Sequence, residues 1–491
     1  MANQIIPTVG FTPSVDPTIP NAVLNCTNLL PTLRGMKSGP SATNAGSPAL
    51  PSRVLGAAAV TELSGTKRVF AGTATNLYEN VSNAWVDVSR TAGGAYTGGA
   101  NQWRYCQFGN ATIASNGQDK IQQSVLTGAF SDIASAPAAR IVEVTQGFVF
   151  AFDTTDATNG HRTNGWACSA LFDQTNWTPS QATQAANGVI IDTPGGITAG
   201  KALGTNMVVY KKESMFYGTY QGVPVIWAFN QISPIVGTPC QEAVVNVGTS
   251  HVFLGSDSQV YVYDGSRPVP VGDDVKDWLH ANWNPSFQDI VQSYHDKENT
   301  LVYWYFCSNA STGTPDRSLV FNYRTGKFGR ADAVVEATVQ YISGQITWDG
   351  LGSLPGVTTW DTLPAIPYNS SFWTSAAELP AYFDASHTLF SLTGVAADSS
   401  LTTSYFGDDE QYSYLQRVVP RFADGPDSCL GTGISYASLG DSSGTAFTIS
   451  PLYDGIMNTD VSGRWYSVTL RFTGNTEILG FIPKMIRSGT L

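Results

Sequence analysis

The sequence predicts an all-β fold: a β-propeller of about seven or eight irregular blades, a C-terminal β-domain and an extended N-terminal arm. Three observations carry this. The chain of 491 residues holds 48 glycines and 26 prolines, yet only 13% of it is Asp, Glu, Lys or Arg, a mixture that favours short strands and turns over long charged helices. From about residue 55 the apolar residues come in short runs rich in Val, Tyr, Phe and Trp, divided by Gly, Asn, Asp and Ser, and almost none keeps a period of 3.6. The unit of short strand, Gly/Asp/Ser turn and strand ending in Tyr or Phe recurs. A four-stranded sheet cannot bury both faces alone but does so when stacked against neighbours around an axis.

Residues 1–54 read as the extended arm and entry, with prolines at positions 7, 13, 17 and 20 and no continuous apolar segment or basic start, so no secretory signal is expected. Residues 55–395 are assigned to the propeller. Its clearest unit is 251–272, three extended pieces separated by turns that tolerate positive φ, with Asp264-Gly265 at the second. Similar units lie at 68–78, 111–121, 300–323 and 380–390. One short helix is expected where Asp273-Asp274 precede Val275, Trp278, Leu279 and Asn282 at helical spacing, with Pro285 as its stop. Residues 396–491 form a separate β-sandwich-like domain, because alternate residues are apolar in longer strands at 414–422, 446–450 and 464–472.

Thr347-Trp348-Asp349 and Thr359-Trp360-Asp361 stand twelve residues apart, and the stretch ending at Trp373 is a degenerate third copy. Such aromatic-acid turns fit either a ring-pinned loop within one chain or an aromatic contact with a neighbouring subunit. Trp348, Trp360 and Trp373 are therefore interface candidates.

The chemistry-bearing patterns are sparse. Six cysteines lie far apart without Cys/His pairing, which points to buried reduced thiols and to no metal site. The string Gly440-Asp441-Ser442-Ser443-Gly444 fits G-x-S-x-G, but all five histidines precede it and its surroundings are turn-rich; an α/β-hydrolase needs a downstream His and a strand-to-helix elbow. The carboxylate pairs Asp273/Asp274, Asp408/Asp409/Glu410 and Asp153/Asp156 sit in turn-like contexts. No catalytic residue, cofactor site or metal is assigned, and the chain is read as a non-enzyme. With 38 acidic against 26 basic residues, net −12, and basic residues only in isolated doublets, tight phosphate binding is not expected. An acidic surface suits a wall past which DNA slides without sticking.

Several stretches together resemble a family: VDPTIPN at 15–21, CTNLLPTLRGM at 26–36, RVFAGT at 68–73 with Leu77-Tyr78-Glu79, the TWD repeats, and GRWYSV at 463–468. They are similar to tail hub or nozzle proteins of short-tailed bacteriophages, also described as packaged-DNA stabilisation or tail tubular B-type proteins. The resemblance implies a structural virion protein that assembles in the host cytoplasm and forms a homohexamer in the viral tail. It implies a place below portal and adaptor, contact with tail fibres, retention of packaged double-stranded DNA without specific binding, and release at ejection, with no membrane insertion. This chain is shorter than the larger nozzle proteins, so any large tip insertion is expected to be reduced. Within the arm, Asp16, Pro17 and Arg34 join the interface candidates, and deleting residues 1–34 is expected to spare the propeller fold and prevent attachment to the tail. The alternative is a tail fibre or tailspike-like protein that binds or cleaves host surface glycan through the tryptophans and paired carboxylates.

Overall fold

The computed structural model describes residues 5–342, Thr359, 378–439 and 443–490. Among these residues the strands form seven four-stranded antiparallel sheets and two six-stranded ones. The seven are successive blades at 56–87, 104–132, 138–189, 197–233, 244–270, 291–329 and 337–391. The first strand of each blade touches the first strand of the next, and Ala337–Ile342 of the seventh returns to Gly56–Thr61 of the first. The ring is closed, and the architecture is a seven-bladed β-propeller.

The middle strands of the blades are buried on both faces, which explains their continuous apolar runs. Leu301–Phe306, LVYWYF, is buried at every position, as stacking between neighbouring blades requires. The unit expected at 251–272 is the fifth blade's His251–Leu254, Val260–Tyr263 and Val269–Pro270. The helix runs Lys276–Asn282 after Val275, with no side-chain cap. Asp273 instead accepts from the Gln259 amide at 2.6 Å, so this carboxylate ties the helix entry to the residue before Val260–Tyr263 and does not cap the helix.

The domain after residue 396 is a pair of six-stranded sheets. Ser428–Tyr436 alternates exposed and buried residues along its length, the pattern of a sheet with one wet face. Both sheets recruit the N-terminal segment. Val23–Thr27 pairs with Ser399–Thr403, while Leu29–Pro31, Met36–Ser38 and Ile6–Pro7 join the sheet built on Glu477–Thr490 and Gln411–Asp424. Thr43–Asn44 then crosses to the seventh blade as its outer strand, against Leu389–Ser391.

The N-terminal stretch is thus extended but not free, which corrects the expectation that it serves assembly more than folding. Phe11, Val23, Cys26 and Leu29 are fully buried, or nearly so, in one core cluster with Trp304 and Phe328 of the sixth blade and Leu470 and Phe481 of the sandwich. Burial of each large apolar side chain contributes about 1.5–3 kcal/mol. Leu29 and Arg330 exchange backbone hydrogen bonds of 2.8 and 2.9 Å, and Arg330 lies over the rings of Phe11 and Trp278. The sandwich is welded to the fifth and sixth blades through this segment.

Candidate functional site

Around the propeller axis the seven first strands leave a cavity of only about 190 Å3, lined by residues of every blade. It is crossed by charge. Arg104 of the second blade donates Nε and an Nη to the two carboxylate oxygens of Glu242, which precedes the fifth blade, at 2.6 and 2.8 Å, and it donates again to the Arg140 carbonyl at 2.9 Å. Burial opposes ionisation of Glu242, but the Arg104 guanidinium outweighs it and holds the carboxyl below its usual range. Glu143 lies 3.7 Å from Lys201; there burial prevails over the lysine and raises the carboxyl. Gln292 donates to Gln102 at 2.9 Å and accepts from the Thr338 backbone, so the axis is shut by a polar web.

Beyond this web a wider funnel of about 680 Å3 opens at one end of the ring. On its wall His161 Nε2 donates to Asp153 at 2.7 Å, while Arg140 stands 4.0 Å from the same carboxylate. Asp153 has φ +53° at a register shift in its strand, a β-bulge that turns the side chain away from the regular pleat. Asp156 is engaged separately, accepting from the backbone of Thr158 and Asn159. These two carboxylates therefore hold a turn and a histidine and do not face each other as an acid and base pair.

The remaining sequence-singled residues are dispersed. Asp16 accepts from Thr18 N and Oγ1 at 2.9 and 2.8 Å, hydrogen bonds that lower its pKa, and the Pro17 carbonyl accepts from Tyr405 N at 2.7 Å. Arg34 is 66% exposed and pairs with Glu477 at 2.6 Å. Asp16, Pro17 and Arg34 are thus exposed, and each already has a partner within the chain. Trp348, Trp360 and Trp373, like Gly440, Asp441 and Ser442, lie outside the described residues. Asp408 accepts from Glu410 N and Asp409 from Trp465 Nε1. No cluster of three metal-ligating side chains occurs among the described residues.

A feature that the sequence reading missed is the placement of exposed apolar side chains. Leu63 is 80% exposed, Phe172 76% and Val225 58%. All three, with Leu126 and Val223, sit in turns between the first and second or third and fourth strands of blades one to four. In an antiparallel blade those turns share one end of the propeller, so the apolar tips form an arc on one end. A lone Leu or Phe among turn residues was the available signal, and its side of the ring was visible only once strand order was known.

No protein-family model and no curated protein matches the sequence. Among solved structures, the chain is similar to a computationally designed protein, Ika8, at TM-score 0.37 and 12% identity, over 71% of this chain and 98% of that one. It is also similar to the WD40 domain of Pan2 from Neurospora crassa at TM-score 0.39 and 10% identity, over 72% of this chain and 94% of that domain.

Proposed function

We propose that this chain is a structural subunit of a short-tailed phage tail, of the hub or nozzle kind, that joins copies of itself into a ring around the path of the genome. The observation that carries the reading beyond the resemblance is the shut axis. With Arg104–Glu242 across its centre, one propeller offers a duplex no passage, and on this reading the conduit lies between copies. A net charge of −12 keeps phosphates from adhering to such a wall. The apolar turn tips of blades one to four supply surface for contact with neighbours, since side chains such as Leu63 and Phe172 gain by leaving water.

Electron microscopy of the purified protein and of particles tests this. Rings of several copies, located at the portal vertex, are expected. Leu63→Asp combined with Phe172→Asp should leave the monomer folded and weaken ring formation. A protein that stays monomeric at all concentrations, is absent from virions and releases glycan would overturn the reading.

A further inference from the structure

The outermost strand of an antiparallel sheet leaves a row of backbone groups without ladder partners, and native chains keep such edges short, charged or interrupted. Six blades of this propeller do so by length alone. Their outer strands are Ala84–Asp87, Ser131–Asp132, Ala186–Val189, Val269–Pro270, Lys327–Gly329 and Thr43–Asn44, each of two to four residues. The outer strand of the fourth blade differs: Ile226–Ser233 runs for 8 residues, IWAFNQIS, with neither charge nor proline. It stands last in its sheet. Register shifts occur only at the ends of its ladder, and residues 227–231 pair one by one with 216–220. Among the described residues the one further backbone hydrogen bond of 226–232 runs from Trp227 N–H to the Val225 carbonyl, 2.9 Å. Phe229 packs against Trp166 with ring centroids 5.0 Å apart, which holds the strand in place as a ready template.

The surroundings of this edge select what pairs with it. No charged residue occurs between Glu213 and Glu242, so a second copy of a chain of net −12 meets no like charge on this blade. Asn230 and Gln231 are exposed, and their amides make no hydrogen bond among the described residues. Val223 and Val225 stand exposed before the strand, and Ile235, 81% exposed, stands after it. The strand and its flanks are self-complementary. When two copies align antiparallel about Phe229, Ala228 of each faces Asn230 of the other and Trp227 faces Gln231. The start of one strand then lies beside the end of the other, so the exposed valines meet Ile235 at both ends of the contact.

We propose that two copies of the chain pair edge to edge through Ile226–Ser233, antiparallel about a two-fold axis at Phe229, so that one sheet continues across both fourth blades. The contact does not rest on the phage reading, and it leaves Leu63 and Phe172 free for ring contacts. A strand pair buries less than a standard interface, so the dimer is reversible. Sedimentation velocity of the full chain from about 1 to 100 μM, with amide hydrogen exchange followed at the same concentrations, tests it. A dimer that grows with concentration is expected, with exchange in 226–233 slowing as it forms. Asn230→Lys combined with Gln231→Lys gathers like charge around the axis and should weaken dimerisation at least about tenfold. Both side chains are exposed, so the circular dichroism spectrum should not change. Leu63→Asp combined with Phe172→Asp should leave the pairing intact. Exchange in 226–233 that does not depend on concentration, or equal dimerisation by the double lysine variant, would overturn the proposal whether or not rings form through other contacts.

Discussion

Glu242 and Arg104 meet across the axis from positions 138 residues apart, and the pair is almost dry, with side chains 17% and 6% exposed. A buried pair adds little net stability over an apolar substitute, but removing one partner strands the other charge. Glu242→Ala should therefore destabilise the protein by about 3 kcal/mol, read from the urea midpoint, while Arg104→Met combined with Glu242→Leu should recover much of that loss. His251 provides a second expectation. It is fully buried, Tyr210 O–H donates to its Nδ1 at 2.8 Å, and its Nε2–H donates to the Ala202 carbonyl at 2.9 Å. Burial, countered in part by the Ala202 hydrogen bond, lowers its pKa from 6.5 to about 4. Because the folded state resists protonation more than the unfolded chain, the stability this neutral ring preserves is complete above pH 6.5. It is lost as pH falls toward 4, by up to about 3 kcal/mol. Denaturant midpoints between pH 7 and 4 should fall more steeply for the native chain than for His251→Asn. Neither pair was legible in the sequence: a charge beside Trp103 or a histidine opening an apolar strand shows an anomaly, but the partner is supplied by another blade.

At the level of elements, the fifth-blade meander could be read directly because its alternation and its Asp-Gly turn are local properties. The short strand Thr43–Asn44 could not, since two residues carry no period and its pairing with Leu389–Ser391 is a fact of ring closure. The same holds for the strands at 23–31. Their short length and the prolines before them suggested an arm, whereas the ladder partner of Val23–Thr27 lies more than 370 residues further along. Gly35 marks how tightly that segment is fitted: a Cβ there would stand 2.2 Å from the Ile478 carbonyl oxygen. Gly35→Val should force the hairpin away from Glu477–Thr490 and cost about 1–3 kcal/mol, seen as a lower melting temperature. Deleting residues 1–34 should do more, removing strands from both six-stranded sheets and exposing the sandwich core. The expected product is a protein prone to aggregation and readily cleaved after residue 396, whereas a deletion variant that melts like the full chain would contradict this.

For the molecule as a whole, the fold class followed from composition and from the recurring strand units, because these are summed over hundreds of residues and survive local errors. The number of blades settled at seven only through the contact of the last inner strand with the first. The candidate surfaces were less legible: which end of the ring a turn occupies, and which strand is left at the edge of its sheet, depend on topology. If copies associate through the apolar tips of blades one to four, ring formation should persist at high salt, since apolar contacts are not screened. Analytical ultracentrifugation across a salt series measures this, and dissociation as salt rises would instead indicate contacts made by charge.

The pairing of Ile6–Pro7 with Phe481 and Gly480 sets an order on biosynthesis. As the polypeptide leaves the ribosome, blades can begin to close one after another, but the earliest strands must wait unpaired until the last ones emerge. A prematurely terminated product therefore keeps sticky, partnerless edges, and only a fully translated copy acquires the docked sandwich.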